Sequence, residues 1–293
     1  MDSTNHAVRL NQLRLLRWAA GSVSIGLGLI GLRSGLPLRT LVWDRTWFEL
    51  PVTLLGWSWD EWVVSPGVDR GIDAVNLLIS GVLVLLGLIV LLRKRSPRVA
   101  IVLFAVLLIQ HFLEWKEHFW QAGQLLELGL QTGTPLLLLL ALRSVGNNKA
   151  IQLLLRWLIA LTFVGHGLYA AGFHPVPAHF VLMVQSGTGV GEETARGLLF
   201  VVGVLDFGAA LLLLLPYRTG WRVALAWILP WALLTTLARL WSYGGIVETE
   251  TLLLQWFPQT LRRFPHVLIP LVLYFRMSND NTSRVALSDA FTR

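Results

Sequence analysis

The chain has 293 residues and a mean hydropathy of +0.62, and 14% of its residues are charged, against about a quarter in soluble domains. So much apolar surface cannot be hidden in one soluble globule; lipid must cover part of it, and the 14 tryptophans suit interfacial belts. The formal charge of +7 reads as basic loops beside membrane spans rather than a nucleic-acid surface, and the absence of cysteine excludes disulfides, thiolate metal sites, cysteine nucleophiles and CxxC redox chemistry.

A crossing needs about 20 apolar residues. The hydropathy pattern predicts an all-α integral membrane protein with about eight transmembrane helices, near 15–32, 72–92, 99–115, 124–142, 151–172, 197–215, 221–241 and 252–275. The eighth is awkward. Arg262 and Arg263 fall inside it, and His266 to Phe275 is too short alone. Either that span begins early and carries both arginines, or an interfacial helix ends near Arg263 and a short span follows.

Two long connections lie on one side. The segment 33–71 holds Trp43, Trp47, Trp57, Trp59 and Trp62 with Asp44, Glu49, Asp60 and Glu61, and predicts short amphipathic pieces in the headgroup layer. The segment 172–196 holds His174, His179, Glu192 and Glu193 and reads as an exposed loop, with a lid over a cavity as the alternative. The other side collects Arg9, Arg14 and Arg17, then Arg93 to Arg98, Arg143 to Arg156, Arg218 and Arg222, and Arg276, Arg284 and Arg293. The positive-inside bias makes that side, with both termini, cytoplasmic.

The chain also repeats itself. Leu-Leu-Arg-Trp occurs at 15–18 and 154–157, and the same offset aligns Gly26-Leu27-Gly28-Leu29 with Gly165-His166-Gly167-Leu168. Arg70-Gly71 matches Arg196-Gly197, and Arg98-Val99-Ala100 matches Arg222-Val223-Ala224. The boundary falls between a first four-helix unit, 1–146, and a second, 147–293. An even number of spans per unit makes the repeats parallel. A repeated first span argues against a cleaved signal peptide.

The second unit reads Gly165-His166-Gly167-Leu168-Tyr169 on one helix. The next begins Val202-Gly203-Val204-Leu205-Asp206-Phe207-Gly208 and runs into leucines 211–215; a basic turn and an apolar helix from Trp221 follow. This resembles the DoxX-like family of four-helix bacterial membrane proteins, over about 151–245 directly and over the first half through the repeat. Asp206 stands where the family typically has Glu, and Tyr169-Ala170 where it often has Gln-Lys. The resemblance implies two parallel DoxX-like repeats in a bacterial inner membrane. It also implies a link to respiratory or sulfur oxidoreductase complexes, with a redox partner subunit and a quinone as candidate ligand.

Ionisable groups in a bilayer cost roughly 2.5 kcal/mol or more each, so each marks a candidate site. His111, Glu114 and His118 recur on one helical face and could bind a divalent metal or relay protons; a wet helix end is the plain alternative. His166, between glycines, and Asp206 suggest a pair, with Arg239 as another partner for Asp206 or a residue snorkelling to headgroups. Glu127 faces Arg262, Arg263 and His266 in the eighth span and is expected to pair with one of the arginines. All these groups fall in the outer half, which predicts one outward-opening polar cavity. No phosphate loop, nucleophile elbow or HExxH occurs, and no matched histidine pair for haem is legible. Three functions remain: a membrane subunit with a cavity for a small or lipidic ligand, a small-molecule carrier, and a structural scaffold without chemistry.

Overall fold

A computed structural model describes residues 3–93, 97–143 and 149–291, with side chains between Leu10 and Ser278. Every regular element among them is helical: α1 (Ser3–Ser34), α2 (Arg39–Val42), α3 (Arg45–Leu54), α4 (Trp59–Val64), α5 (Pro66–Leu92), α6 (Pro97–Glu117), α7 (Ala122–Arg143), α8 (Lys149–Ala170), α9 (Ala178–Thr188), α10 (Glu192–Leu214), α11 (Arg218–Gly244), α12 (Thr249–Thr251), α13 (Phe257–Arg263) and α14 (Pro265–Phe291). Lys94, Arg95 and Arg293, which contribute to the expected orientation, lie outside the described residues, as do the side chains of Arg9 and Arg284.

Seven described helices are long and apolar enough to cross a membrane: residues 10–34 of α1, and α5, α6, α7, α8, α10 and α11. Their outer faces carry Leu77, Leu78, Leu85, Leu205 and Leu211, each 44% to 66% exposed, a surface that lipid stabilises and water does not. Local signals set the helix starts. Ser65 caps α5 ahead of Pro66, Ser58 and Glu61 form a reciprocal capping box on α4, and Glu192 and Glu193 occupy the first turn of α10, where the helix dipole favours acid.

The eighth expected span divides where the second alternative divides it, one helix ending at Arg263 and another following. After α12 the chain makes a π-helical turn, Leu252–Trp256, then α13, then breaks at Phe264 before α14. Pro265 lacks the N–H that would continue the α13 ladder, which ends the helix there. α13 buries Pro258, Thr260 and Arg263. It is pressed against α1 so closely that a Cβ on Gly26 would lie 2.5 Å from the Arg262 backbone nitrogen. The two arginines are therefore carried into the bundle on a short buried helix that α1 and α11 flank.

The two Leu-Leu-Arg-Trp segments act alike. Arg17 reaches the carbonyls of Val90 and Leu91 at the end of α5; Arg156 reaches those of Leu213 and Leu215 at the end of α10. Gly26 and Gly165 also play equivalent parts: Gly26 lets α1 touch the α13 backbone, and Gly165 lets α8 touch the α7 backbone at Gly123 and Glu127. Gly28 lies against Ser80 and Val84 of α5, as Gly167 lies against Gly203 and Phe207 of α10. Such close approach requires the absence of a side chain.

The core at the end where α8 begins and α10 finishes is apolar, built from Leu16, Leu137, Leu155, Ile159, Leu213 and Val272 among others. At the opposite end α2, α3 and α4 form the expected amphipathic pieces. Lys116 of α6 pairs with Asp44, and Trp47 packs beside Phe112 and Trp120 at 6.0 and 6.1 Å, which seats α3 on α6. The second long connection is no extended loop: 178–188 is the helix α9, closed by Gly189 at φ +76°.

Candidate functional site

The polar groups converge at the end of the bundle that carries α9. Two short breaks make this possible. Phe264 turns α13 inward with Arg262 and Arg263, and the chain leaves the α6 helix at His118, whose Nδ1 contacts the Glu114 carbonyl at 2.8 Å. Between them lies a cavity of about 450 Å³ lined by Glu114, His118, Glu127, Arg239, Arg262 and Arg263 together with Gln121, Gln124, Gln131 and Tyr169.

Each arginine on α13 takes one glutamate. Arg262 donates from Nη2 to Glu114 at 2.5 Å and from Nε to Gln131 at 2.8 Å, while Gln124 donates to the other Glu114 oxygen at 3.3 Å. Arg263 donates to Glu127 at 2.9 Å and contacts His166 Nε2 at 3.0 Å. That same imidazole nitrogen lies 3.3 Å from Glu127 Oε1, so it can accept from the guanidinium or donate to the carboxylate, according to tautomer. The expected pairing of Glu127 with an eighth-span arginine is present. The bonds are short and the pairs largely shielded from water, where an ion pair broken on one side is costly.

Arg239 has no such partner. It is 6% exposed, its Nε has no hydrogen-bond partner among the described residues, and both nearby glutamates are taken. It is buried rather than snorkelling. It lines a second, adjoining cavity of about 270 Å³ between α9, α10 and α11, whose walls include Met183, Leu199, Val202, Trp231, Leu234 and Trp241. Arg239, Arg263 and Phe180 border both cavities.

Asp206 lies in the apolar cavity, but the expected His166–Asp206 pair does not form. His166 is held by Arg263 and Glu127, whereas Asp206 accepts a 2.9 Å hydrogen bond from Trp227 Nε1. Its other oxygen is buried without a hydrogen-bond partner among the described residues. The reason is tertiary: α13 brings a guanidinium to His166 before an α10 carboxyl can reach it. Arg239 does not pair with Asp206 either.

His111, Glu114 and His118 do not converge on one point. His111 is buried and its Nδ1 contacts the Thr132 hydroxyl at 2.7 Å, outside both cavities, while His118 is exposed. A different trio, Glu127, His166 and His266, keeps one ligand atom from each residue within 4.8 Å of the others. Arg263 already bonds the Glu127 and His166 atoms, so this group does not fit a metal ion. His166 and His266 stack at 5.4 Å between centroids, a histidine pair on two helices that the sequence pattern did not reveal because the break at Phe264 sets its depth.

The sequence reading missed Gln121, Gln124, Tyr169 and Trp227. Tyr169 donates to Gln121 at 2.9 Å at the cavity wall. A glutamine run at helix starts and one tryptophan among 14 carry little signal by themselves. Pro175, Pro177 and His179, read mainly as exposed loop, line the polar cavity. No protein-family model, curated protein or solved structure matches the chain.

Proposed function

We propose that the protein is a DoxX-like bacterial inner-membrane subunit that binds a small or lipidic ligand in a cavity opening on the outer side, in a redox-associated process. In this reading it has eight spans in two parallel four-helix repeats, with both termini in the cytoplasm and α14 completing the crossing. The matching roles of Arg17 and Arg156, and of Gly26 and Gly165, support the repeat. The observation that carries the functional reading is the pair of adjoining cavities, one polar and one apolar, that share Arg239 and Arg263. A structural scaffold has no use for a buried arginine without a counter-ion, which is costly in a bilayer.

A carrier needs polar groups along a path to the opposite face. Among the described residues the core beyond His166 and Gln131 holds few buried polar groups, chiefly Ser22, Ser24, Thr134, Arg156 and Arg276, which favours a binding site over a transport route. The resemblance makes a quinone one candidate ligand. The apolar cavity suits its ring and tail, and Arg239, or Asp206 in its protonated form, would donate to a carbonyl. A bound quinone would supply two-electron redox chemistry.

The test is extraction of the full chain, purified in mild detergent, with mass analysis of what comes off. A stoichiometric small or lipidic molecule, reduced in a variant with Ala238→Phe narrowing the apolar cavity, is the expected result. Loss of nothing but bulk lipid, in proportions unchanged by the variant, would count against a ligand site.

A further inference from the structure

We infer that the ligand is an acidic amphiphile drawn from the bilayer, its phosphate or carboxylate headgroup on Arg239 and its chain between α9, α10 and α11. This rests on the ligand-binding reading above and names the class of molecule.

Charge supports the headgroup. The three guanidiniums at the cavity face two carboxylates, and the pairing is one to one: Arg262 with Glu114, Arg263 with Glu127. Arg239 is left, more than nine-tenths buried and with its Nε unpartnered, at the wall common to both cavities. Asp206 makes no ion pair with it among the described residues; its Oδ1 accepts from the Trp227 indole instead. A planar guanidinium recognises phosphate or carboxylate through paired hydrogen bonds, which a neutral headgroup cannot match in charge.

Shape supports the chain. The apolar cavity includes Leu198, Leu234 and Trp241 in its wall, and these apolar residues are 46%, 38% and 55% exposed on helices long and apolar enough to cross a membrane. The cavity thus reaches from the lipid-facing side, beneath α9, to Arg239. Its lining between these ends includes Met183, Val184, Leu199 and Val202. A water-soluble anion would need only the polar cavity. The apolar one has no role for it.

The experiment uses the full chain in detergent micelles and measures binding of four probes by native mass spectrometry: oleate, a short-chain carboxylate, monoolein and inorganic phosphate, with decyl-ubiquinone as a neutral competitor. Oleate is expected to bind at least tenfold tighter than monoolein or the short acid, and Arg239→Gln to erase the advantage over monoolein. Ala238→Phe, which leaves Arg239 in place, is expected to weaken oleate but not the short acid, so that a folding failure of the arginine variant does not decide the matter. Equal binding of monoolein and oleate, or tighter binding of the quinone, overturns the acidic headgroup while leaving the ligand-binding function standing. Inorganic phosphate binding as tightly as oleate overturns the amphiphile. No binding by any probe or the competitor overturns both.

Discussion

Arg263 illustrates what a buried charge requires. Its guanidinium is shared between Glu127 and His166, and its backbone carbonyl takes the His266 Nδ1 proton at 3.0 Å. Glu127→Leu strips from it the one carboxylate it pairs with among the described residues and is expected to cost about 3–5 kcal/mol of stability, the range for breaking one side of a buried pair. Adding Arg263→Leu should recover most of that loss, because both charges are then gone. Thermal unfolding of the two variants in detergent checks this; a double variant less stable than Glu127→Leu would show that the pair is not the dominant interaction. His166 was legible as a candidate from its glycine neighbours, but its partner was not. Sequence spacing places residues on one helix, and only the fold decides which helix arrives opposite.

At the scale of elements, glycines and caps decide how closely helices approach. A Cβ at Gly165 would meet the Glu127 nitrogen at 2.6 Å, and one at Gly26 the Arg262 nitrogen at 2.5 Å. These contacts are backbone and cannot swing aside, so Gly26→Ala and Gly165→Ala are expected to destabilise by about 1–3 kcal/mol each, as overpacking does. Gly81 on α5 faces open space and serves as the control: Gly81→Ala should be neutral or stabilising by up to about 1 kcal/mol. Equal effects at all three sites in a melting experiment would remove the close-packing account.

The docking of α3 on α6 gives a pH prediction. Hydrogen bonds from Lys116, then Thr46, hold the Asp44 carboxyl at about 2, below its usual 3.8. The folded value is depressed, so the contribution is present above pH 3.8 and is lost as pH falls toward 2. Hydrogen exchange in 45–54 should therefore be unchanged down to pH 4 and accelerate, beyond the intrinsic rate, between pH 4 and 2. Asp44→Asn should already exchange fast at pH 7, and protection equal to the parent chain would show that the pair does not hold α3.

For the whole molecule, the distribution of charge and the cavities make one arrangement. The polar cavity lies at the end with α2, α3, α4 and α9, and leucine, isoleucine and valine dominate the core of the other, alongside the buried Arg156 and Arg276. With the orientation proposed, Ser58→Cys should react with a membrane-impermeant maleimide in intact cells, and Thr219→Cys only after permeabilisation. The parent chain has no cysteine, so the signal is unambiguous. Labelling of Thr219→Cys in intact cells would invert the topology and place the cavity on the inner side.

Hydropathy and span length determined the helical membrane class and seven of the expected helices, because the cost of exposing a backbone or a charge to lipid is paid residue by residue and can be read residue by residue. The gathering of Glu114, Glu127, Arg239, Arg262 and Arg263 at one end was likewise visible in their common depth. The break at Phe264, the exchange of His166 from Asp206 to Arg263, and the isolation of Arg239 belong to the tertiary structure alone. They depend on which helices pack together and how near two glycines let them come, a matter of contacts between residues as far apart in the chain as Gly26 and Arg262.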